Sequence, residues 1–269
     1  MAPYRLIATD LDGTLLRGDH SISPRARAAI RAAQDRGLTV AFVTARPPRD
    51  IRTLARDAGL SGVAVCSNGA ILYDAASGAM LRHNQLGAVL GRQLIHELRA
   101  AEPGIAFAVE HGHKLGQEPH FPSLFDETVH DHAPRVACAL ELCDEEPTKL
   151  IAHHPGHGAD ALAERVRQVV GGRGEVTHSG WPIVEIGPVG VSKASGLGWL
   201  CAALGVPAAQ VIAFGDMPND IPMLAFAGRA VGVANAHPEV LAMAHEVTAS
   251  NEDDGVARVI EALLEQAEG

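Results

Sequence analysis

The sequence predicts an α/β fold: a doubly wound parallel sheet with an α+β unit inserted into it. Three observations carry that expectation. Short β-prone runs alternate with helical runs at both ends of the chain, the pattern of a parallel sheet with right-handed crossovers. The middle holds fewer helices and more strands, as an antiparallel insert does. The first apolar run, Leu6-Ile7-Ala8-Thr9, leads straight into two carboxylates, Asp10 and Asp12.

Asp10 and Asp12 are two residues apart, so both can point the same way off a strand end. Charges at the mouth of a buried strand must be paired, metal-bound or neutralised, and two together invite a divalent cation with oxygen ligands. A lone Asp-x-Asp also fits a strand that ends in an acidic turn. The rest of the chain decides between these.

The first segment then runs in order. Ser23-Pro24 opens a helix, with Ser as N-cap and Pro in the first helical position, and Gly37 stops it. Leu38 to Val43 is a continuous β-prone run, hence a buried parallel strand, and it ends at Thr44-Ala45-Arg46. A helix follows Pro47-Pro48 and stops at Gly59. Val63 to Cys66 is a third strand, expected in the same parallel sheet, and delivers Ser67-Asn68-Gly69-Ala70. Ile71–Asp74 and Met80–Arg82 then read as a hairpin.

In the middle, 87–100 and 158–170 are predicted helices. Strands are predicted at 105–110, 136–142, 148–154, 175–178 and 183–186, and 111–135 shows no clear periodicity. The last part returns to the first pattern. Helices are expected at 192–204, 218–227, 237–244 and from 254 onward, with strands at 211–214 and 230–233. The division that follows is a core of residues 1–83 and 188–269, with an inserted α+β unit at 84–187.

Bulk properties narrow the function. A chain of 269 residues is one large domain or two modest ones. A net charge of -10 argues against nonspecific nucleic-acid binding. Four cysteines without Cys-x-x-Cys spacing read as reduced thiols of a cytoplasmic protein. The start lacks a signal peptide's charged and apolar regions, and apolar runs are too broken to span a membrane.

Asp10 and Asp12, Thr44, Lys193, and Asp216 with Asn219-Asp220 all fall at strand ends or helix starts, where open parallel sheets bind ligands. The set offers acids for a metal, a hydroxyl for a phosphate oxygen and a fixed ammonium. Those are the parts phosphoryl transfer needs.

With Asp10-Leu-Asp-Gly-Thr, Thr44-Ala-Arg, Ser67-Asn-Gly-Ala, Val191-Ser-Lys-Ala-Ser-Gly-Leu and Gly215-Asp-Met-Pro-Asn-Asp in this order, the chain resembles the haloacid dehalogenase-like superfamily. It looks most like the Cof-type sugar-phosphatase branch, and Asn235-Ala, Val247-Thr and Asp254-Gly-Val-Ala extend the match. The resemblance implies a Rossmann-like core with a cap domain, and a phosphatase that hydrolyses a small phosphorylated metabolite. It makes Asp10 the nucleophile of an aspartyl-phosphate and Asp12 the acid and base. Thr44, the backbone beside it at Ala45, Arg46, Lys193 and Asn219 become phosphate-binding residues. Mg²⁺ would be held by Asp10, the main-chain carbonyl of Asp12, and Asp216, with Asp220 supporting the shell. A phosphomutase or phosphotransferase of this fold, or a catalytically idle binding protein, stands as the alternative.

The chain departs from the family pattern at Ala45 and Ala194, where glycine is usual; each adds one methyl group and removes no reacting group. Specificity is expected from the insert. Residues 111–135 are its richest polar stretch, and His111, His113, Lys114 and His120 are the candidate substrate contacts, with Gln117, Phe121, His130 and His132 beside them. The histidines show no zinc spacing and read as a polar, substrate-facing loop or as plain surface. Monomer and homodimer are both left open.

Overall fold

A computed structural model of the protein describes residues 4–58, 62–123 and 134–266. The chain opens with β1 (Leu6–Thr9), α1 (Pro24–Asp35), β2 (Thr39–Phe42), α2 (Pro48–Ala58) and β3 (Val63–Cys66). The predicted cap of α1 is present: the Ser23 hydroxyl accepts from the Ala26 N–H at 2.9 Å. All of β1 is buried, as a central parallel strand must be.

β3 departs from the prediction. A single parallel bridge, Val43 to Val65, joins it to the end of β2. Its real partner is β4 (Ile71–Asp74), which runs antiparallel to it and to β5 (Ala79–His83). The reason is the tight turn at Ser67–Gly69: with no crossover helix, the chain can only double back. Ser67, Asn68 and Gly69 all take positive φ there (51°, 54° and 100°).

The insert follows as α3 (Ala88–Ala101), β6 (Ala106–His111), β7 (Lys114–Gln117), β8 (Arg135–Val136), α4 (Ala139–Leu142), β9 (Lys149–His153), α5 (Ala159–Val170), β10 (Glu175–Thr177) and β11 (Val184–Gly187). Its strands form one sheet in the order β10-β11-β9-β6-β7-β8. The predicted strand over 136–142 is a two-residue strand and then a helix. Ala139, Leu142 and Cys143 bury themselves at helical spacing, and a short apolar run cannot be told from a strand by pattern alone. His130 and His132 lie outside the described residues.

Side chains along the insert's strands alternate. Phe107, Val109, Leu150, Ala152, Val184 and Ile186 pack with Leu94, Leu98, Leu162 and Val166 of α3 and α5. Ala106, Ala108, Ile151 and Ile183 point to the opposite face, with Trp181 packed on them. Glu110, Lys149 and Glu185 share that second face by the same period of two.

The core resumes with α6 (Lys193–Leu204), β12 (Val211–Gly215), α7 (Ile221–Phe226), β13 (Arg229–Gly232), α8 (Pro238–Met243), β14 (Glu246–Val247) and α9 (Gly255–Gln266). The helix predicted from Pro218 is split: Pro218–Asp220 is a 3-10 turn and α7 starts after it. The parallel sheet is ordered β14-β13-β12-β1-β2. After β1 the chain goes one way to β2, and after the insert it returns on the other side to β12. The strand order therefore reverses at β1, whose exit carries Asp10.

α6 approaches this crevice closely. A Cβ on Gly196 would lie 2.4 Å from Val65 Cγ1 and 2.7 Å from Gly69 Cα. A Cβ on Gly69 would lie 2.0 Å from the Ser192 carbonyl oxygen. These glycines let the start of α6 sit against the Ser67–Gly69 turn. Gly196→Ala should therefore destabilise the protein by about 1–3 kcal/mol through overpacking, lowering Tm by roughly 3 °C per kcal/mol. Scanning calorimetry checks this, and an unchanged Tm would show that α6 has room to spare.

Candidate active site

Asp10 leaves β1 with its N–H bonded to the Phe214 carbonyl at 3.0 Å, so the neighbouring strand β12 fixes its backbone. Lys193, the first residue of α6, points at it from the side. Its Nζ donates to Asp10 Oδ1 and to Asp220 Oδ1, each at 2.6 Å. The Lys193 side chain is wholly buried. Burial alone would lower its pKa, but Asp10 and Asp220 outweigh burial and hold the ammonium well above its usual range.

Asp220 is saturated. Its second oxygen accepts the backbone N–H groups of Asp216 and Met217 at 3.1 and 3.0 Å. It therefore braces both Lys193 and the loop that carries Asp216. Asp216 in turn accepts from the Thr14 hydroxyl at 2.7 Å. Gly13 makes that approach possible, since a Cβ there would lie 2.3 Å from Asp216 Oδ2.

Oxygens of Asp10, Asp216 and Asp220 lie within 4.8 Å of one another, and all three residues are buried. Three carboxylates thus face one ammonium. Burial first, and then Asp220, pushes Asp216 up to about 7. Burial raises Asp10 too; Lys193 opposes it, and the neighbouring acids add to it. Acids this crowded lack positive charge, and hard oxygen donors in such a group suit a dication such as Mg²⁺.

Asp12 stands apart from that group. Arg46 grips it with two hydrogen bonds, Nε to Oδ2 at 2.7 Å and Nη2 to Oδ1 at 2.5 Å, and His20 lies 3.5 Å away. Burial would raise its pKa, but the Arg46 bonds and charge prevail and hold it below the usual carboxylate range. Thr44 is buried, and its hydroxyl accepts from the Arg46 N–H at 3.1 Å. The Ser67–Gly69 turn pins this loop: Ser67 N–H bonds the Arg46 carbonyl at 2.9 Å and Asn68 N–H bonds the Thr44 carbonyl at 3.0 Å.

Asn219 is buried beside these groups. Its amide nitrogen donates to Asn68 Oδ1 at 3.0 Å, and its own Oδ1 has no hydrogen-bond partner among the described residues. Asn68 donates to Glu185 of the insert at 2.9 Å, which fixes which way both amides face. Glu185 also pairs with Lys149, whose Nζ donates to the Ala45 carbonyl at 2.8 Å. Glu110 completes the set, accepting from the Ser67 hydroxyl at 2.5 Å. The polar face of the insert's sheet is thus fastened to both core loops.

Between insert and core lies an open cleft. Asp12 and Arg46 line it on the core side, and Lys149, Ile151, Trp181 and Glu185 on the insert side. The four candidate contacts from residues 111–120 do not line it. His111 bonds the Glu146 carbonyl at 3.2 Å, His113 rests edge-on against Tyr73, Lys114 pairs with Glu145 on the surface, and His120 is exposed. A second cluster, Glu102 with His154 and His157, also gathers. Its groups are already used: His154 bonds the Pro103 carbonyl and the Gly156 N–H, and Arg165 pairs with Glu102.

Sequence reasoning passed over Thr14, Glu110, Lys149, Trp181 and Glu185. Three of them carried a signal: a charge inside an otherwise apolar strand must be paired or functional.

The family model for haloacid dehalogenase-like hydrolases matches residues 7–260. The 5-amino-6-(5-phospho-D-ribitylamino)uracil phosphatase YitU of Bacillus subtilis (strain 168) is 31% identical over 266 residues, covering 96% of each chain. The HMP-PP phosphatase of Serratia proteamaculans (strain 568) is 27% identical over 237 residues, covering 88% of this chain and 86% of its own. Among solved structures, the HAD subclass IIB sugar phosphatase BT4131 shares the fold with a TM-score of 0.84, over 96% of this chain and 98% of its own, at 20% identity. With the family matched across nearly its whole length, this chain belongs to the haloacid dehalogenase-like hydrolases, and it is a phosphatase of their Cof type.

Proposed function

We propose that this phosphatase hydrolyses phosphate monoesters of small metabolites through an aspartyl-phosphate on Asp10, with Mg²⁺ bound beside it. One observation carries the reading: Asp10, Asp216 and Asp220 crowd round the single ammonium of Lys193 at the point where the strand order reverses. The phosphatases YitU of Bacillus subtilis and HMP-PP phosphatase of Serratia proteamaculans, similar over most of their length, support the substrate class.

Asp10 and Asp216 have the free oxygens to hold Mg²⁺, with the main-chain carbonyl of Asp12. Asp220 acts from behind, since its oxygens are taken. The ion supplies positive charge that offsets the repulsion between a carboxylate and a phosphoryl group. Lys193 holds Asp10 in line and adds its own charge. The Thr44 hydroxyl, the Ala45 backbone N–H and the second amide hydrogen of Asn219 bind phosphoryl oxygens.

In the first step an Asp10 oxygen bonds to phosphorus as the ester P–O bond breaks, and the leaving oxygen takes a proton from Asp12. In the second, water attacks phosphorus, gives its proton to Asp12 and releases phosphate from Asp10. Asp12 must be protonated for the first step, and Arg46 opposes that. A phosphoryl dianion competes for the same guanidinium, since Arg pairs with phosphate as it does with carboxylate. Substrate thereby draws Arg46 from Asp12 and frees it to carry the proton.

Asp10→Asn should leave a folded protein with less than a few per cent of wild-type turnover; substantial residual activity would remove Asp10 as nucleophile. EDTA should stop hydrolysis, Mg²⁺ should restore it and Ca²⁺ should restore it poorly, because Ca²⁺ prefers a larger, looser shell. Full activity in chelator would refute the metal.

Asp12→Asn should slow turnover by a factor on the order of 10²–10⁴, the usual worth of a general acid. The loss should shrink for esters with good leaving groups, measured across a series of phenyl phosphates. An equal loss across the series would assign Asp12 another task.

A further inference from the structure

The cleft contains groups that the phosphoryl chemistry leaves unused. Arg49, on α2, lines it with a side chain only 10% exposed. Its Nη1 is buried with no hydrogen-bond partner among the described residues, and its nearest acid oxygen, on Asp50, is 3.7 Å from Nε. A buried guanidinium nitrogen without an acceptor costs free energy unless a ligand provides one.

Trp181 stands in the same cleft, half-buried, with Ile151 and Ile183. It is held close to the reacting centre. Gly180 has φ of +84°, and a Cβ there would sit 3.0 Å from Met217 Cε, so the loop before Trp181 rests on the residue after Asp216.

What the cleft lacks also has a consequence. The charged groups on the insert side, Glu110, Lys149 and Glu185, are bonded to one another, to Ser67 and Asn68, and to the Ala45 carbonyl, which leaves the Ser179 hydroxyl as the one other polar side chain lining that side. They are poorly placed to take up the hydroxyls of a polyol, and a polyol here would lose water without full replacement. A flat ring asks for few donors and gains from an aromatic face and aliphatic walls.

Building on the phosphatase reading above, we propose that the leaving group is a flat aromatic or heteroaromatic ring bearing an anionic or carbonyl acceptor. The ring lies against Trp181 between Ile151 and Ile183, and the acceptor pairs with Arg49. Both residues act on specificity, since neither is hydrogen-bonded or ion-paired to Asp10, Asp12, Asp216 or Lys193 among the described residues.

Non-hydrolysable phosphonates test this by calorimetry with the whole protein and Mg²⁺. The probes are 4-carboxybenzyl phosphonate, benzyl phosphonate and the phosphonate analogue of glucose 6-phosphate. The wild type should bind them in that order. Arg49→Ala should weaken the carboxybenzyl compound on the order of tenfold or more, as loss of a charge-assisted bond does, and bring it level with the benzyl one. Trp181→Ala should weaken both ring compounds several-fold and the glucose analogue by less than about twofold, and Trp181→Phe should recover most of the loss. Melting curves confirm that each variant is folded. A glucose analogue that binds as tightly as the carboxybenzyl compound, or variants that shift all three probes equally, would overturn the assignment. Wild-type turnover of acetyl phosphate reads the phosphatase chemistry separately: ordered phosphonate binding without turnover would sink that chemistry and leave the subsite standing.

Discussion

The site depends on one buried ammonium. Lys193 lies out of water between Asp10 and Asp220, and such a burial is tolerable only when opposite charges meet it with good geometry. That requirement reaches far into the fold. It fixes how near the start of α6 must come to Asp10, and Gly69 and Gly196 leave room for α6 to sit against the Ser67–Gly69 turn on the way. It also calls for Asp220 to be held by two backbone N–H groups, which fixes the loop after β12 and with it Asp216. Removing Lys193 would leave two buried acids unpaired, so its loss harms the fold and the chemistry at once.

Much of this was legible in the sequence. Continuous apolar strands and capped helices gave the parallel core, because strands buried on both faces leave no alternation to misread. Asp10, Asp216, Lys193, Asn219 and Asp220 stand at strand ends or helix starts, and the fold gathers them. The errors have physical causes. The antiparallel course of β3 and β4 is set by three positive-φ residues in a row, and two of them, Ser67 and Asn68, are not glycine. The helix α4 is too short for its period to show. Dense histidines in residues 111–120 suggest substrate contacts, yet none of His111, His113, Lys114 and His120 lines the cleft. The cleft is instead approached by single charges inside apolar strands, Glu110, Lys149 and Glu185, whose meaning emerges only when the sheet brings them side by side.

Arg46 shows how a motif residue can be identified and its partner missed. The sequence places it next to Thr44 and suggests phosphate. The structure places it on Asp12, with both oxygens engaged. The two fit one picture, since a guanidinium that binds a carboxylate bidentately presents the fork that a phosphate also fits.

The period of two in the insert's sheet has a consequence for how such a protein can diverge. Leu150 and Ala152 belong to the helix-packed side, while Lys149 and Ile151, on the same strand, belong to the cleft. Val184 and Ile186 are divided from Ile183 and Glu185 in the same way. Substitutions on the cleft side leave the volume and packing of the other layer untouched. Recognition and stability are therefore written on alternate residues of the same strands, and selection can revise one text without erasing the other.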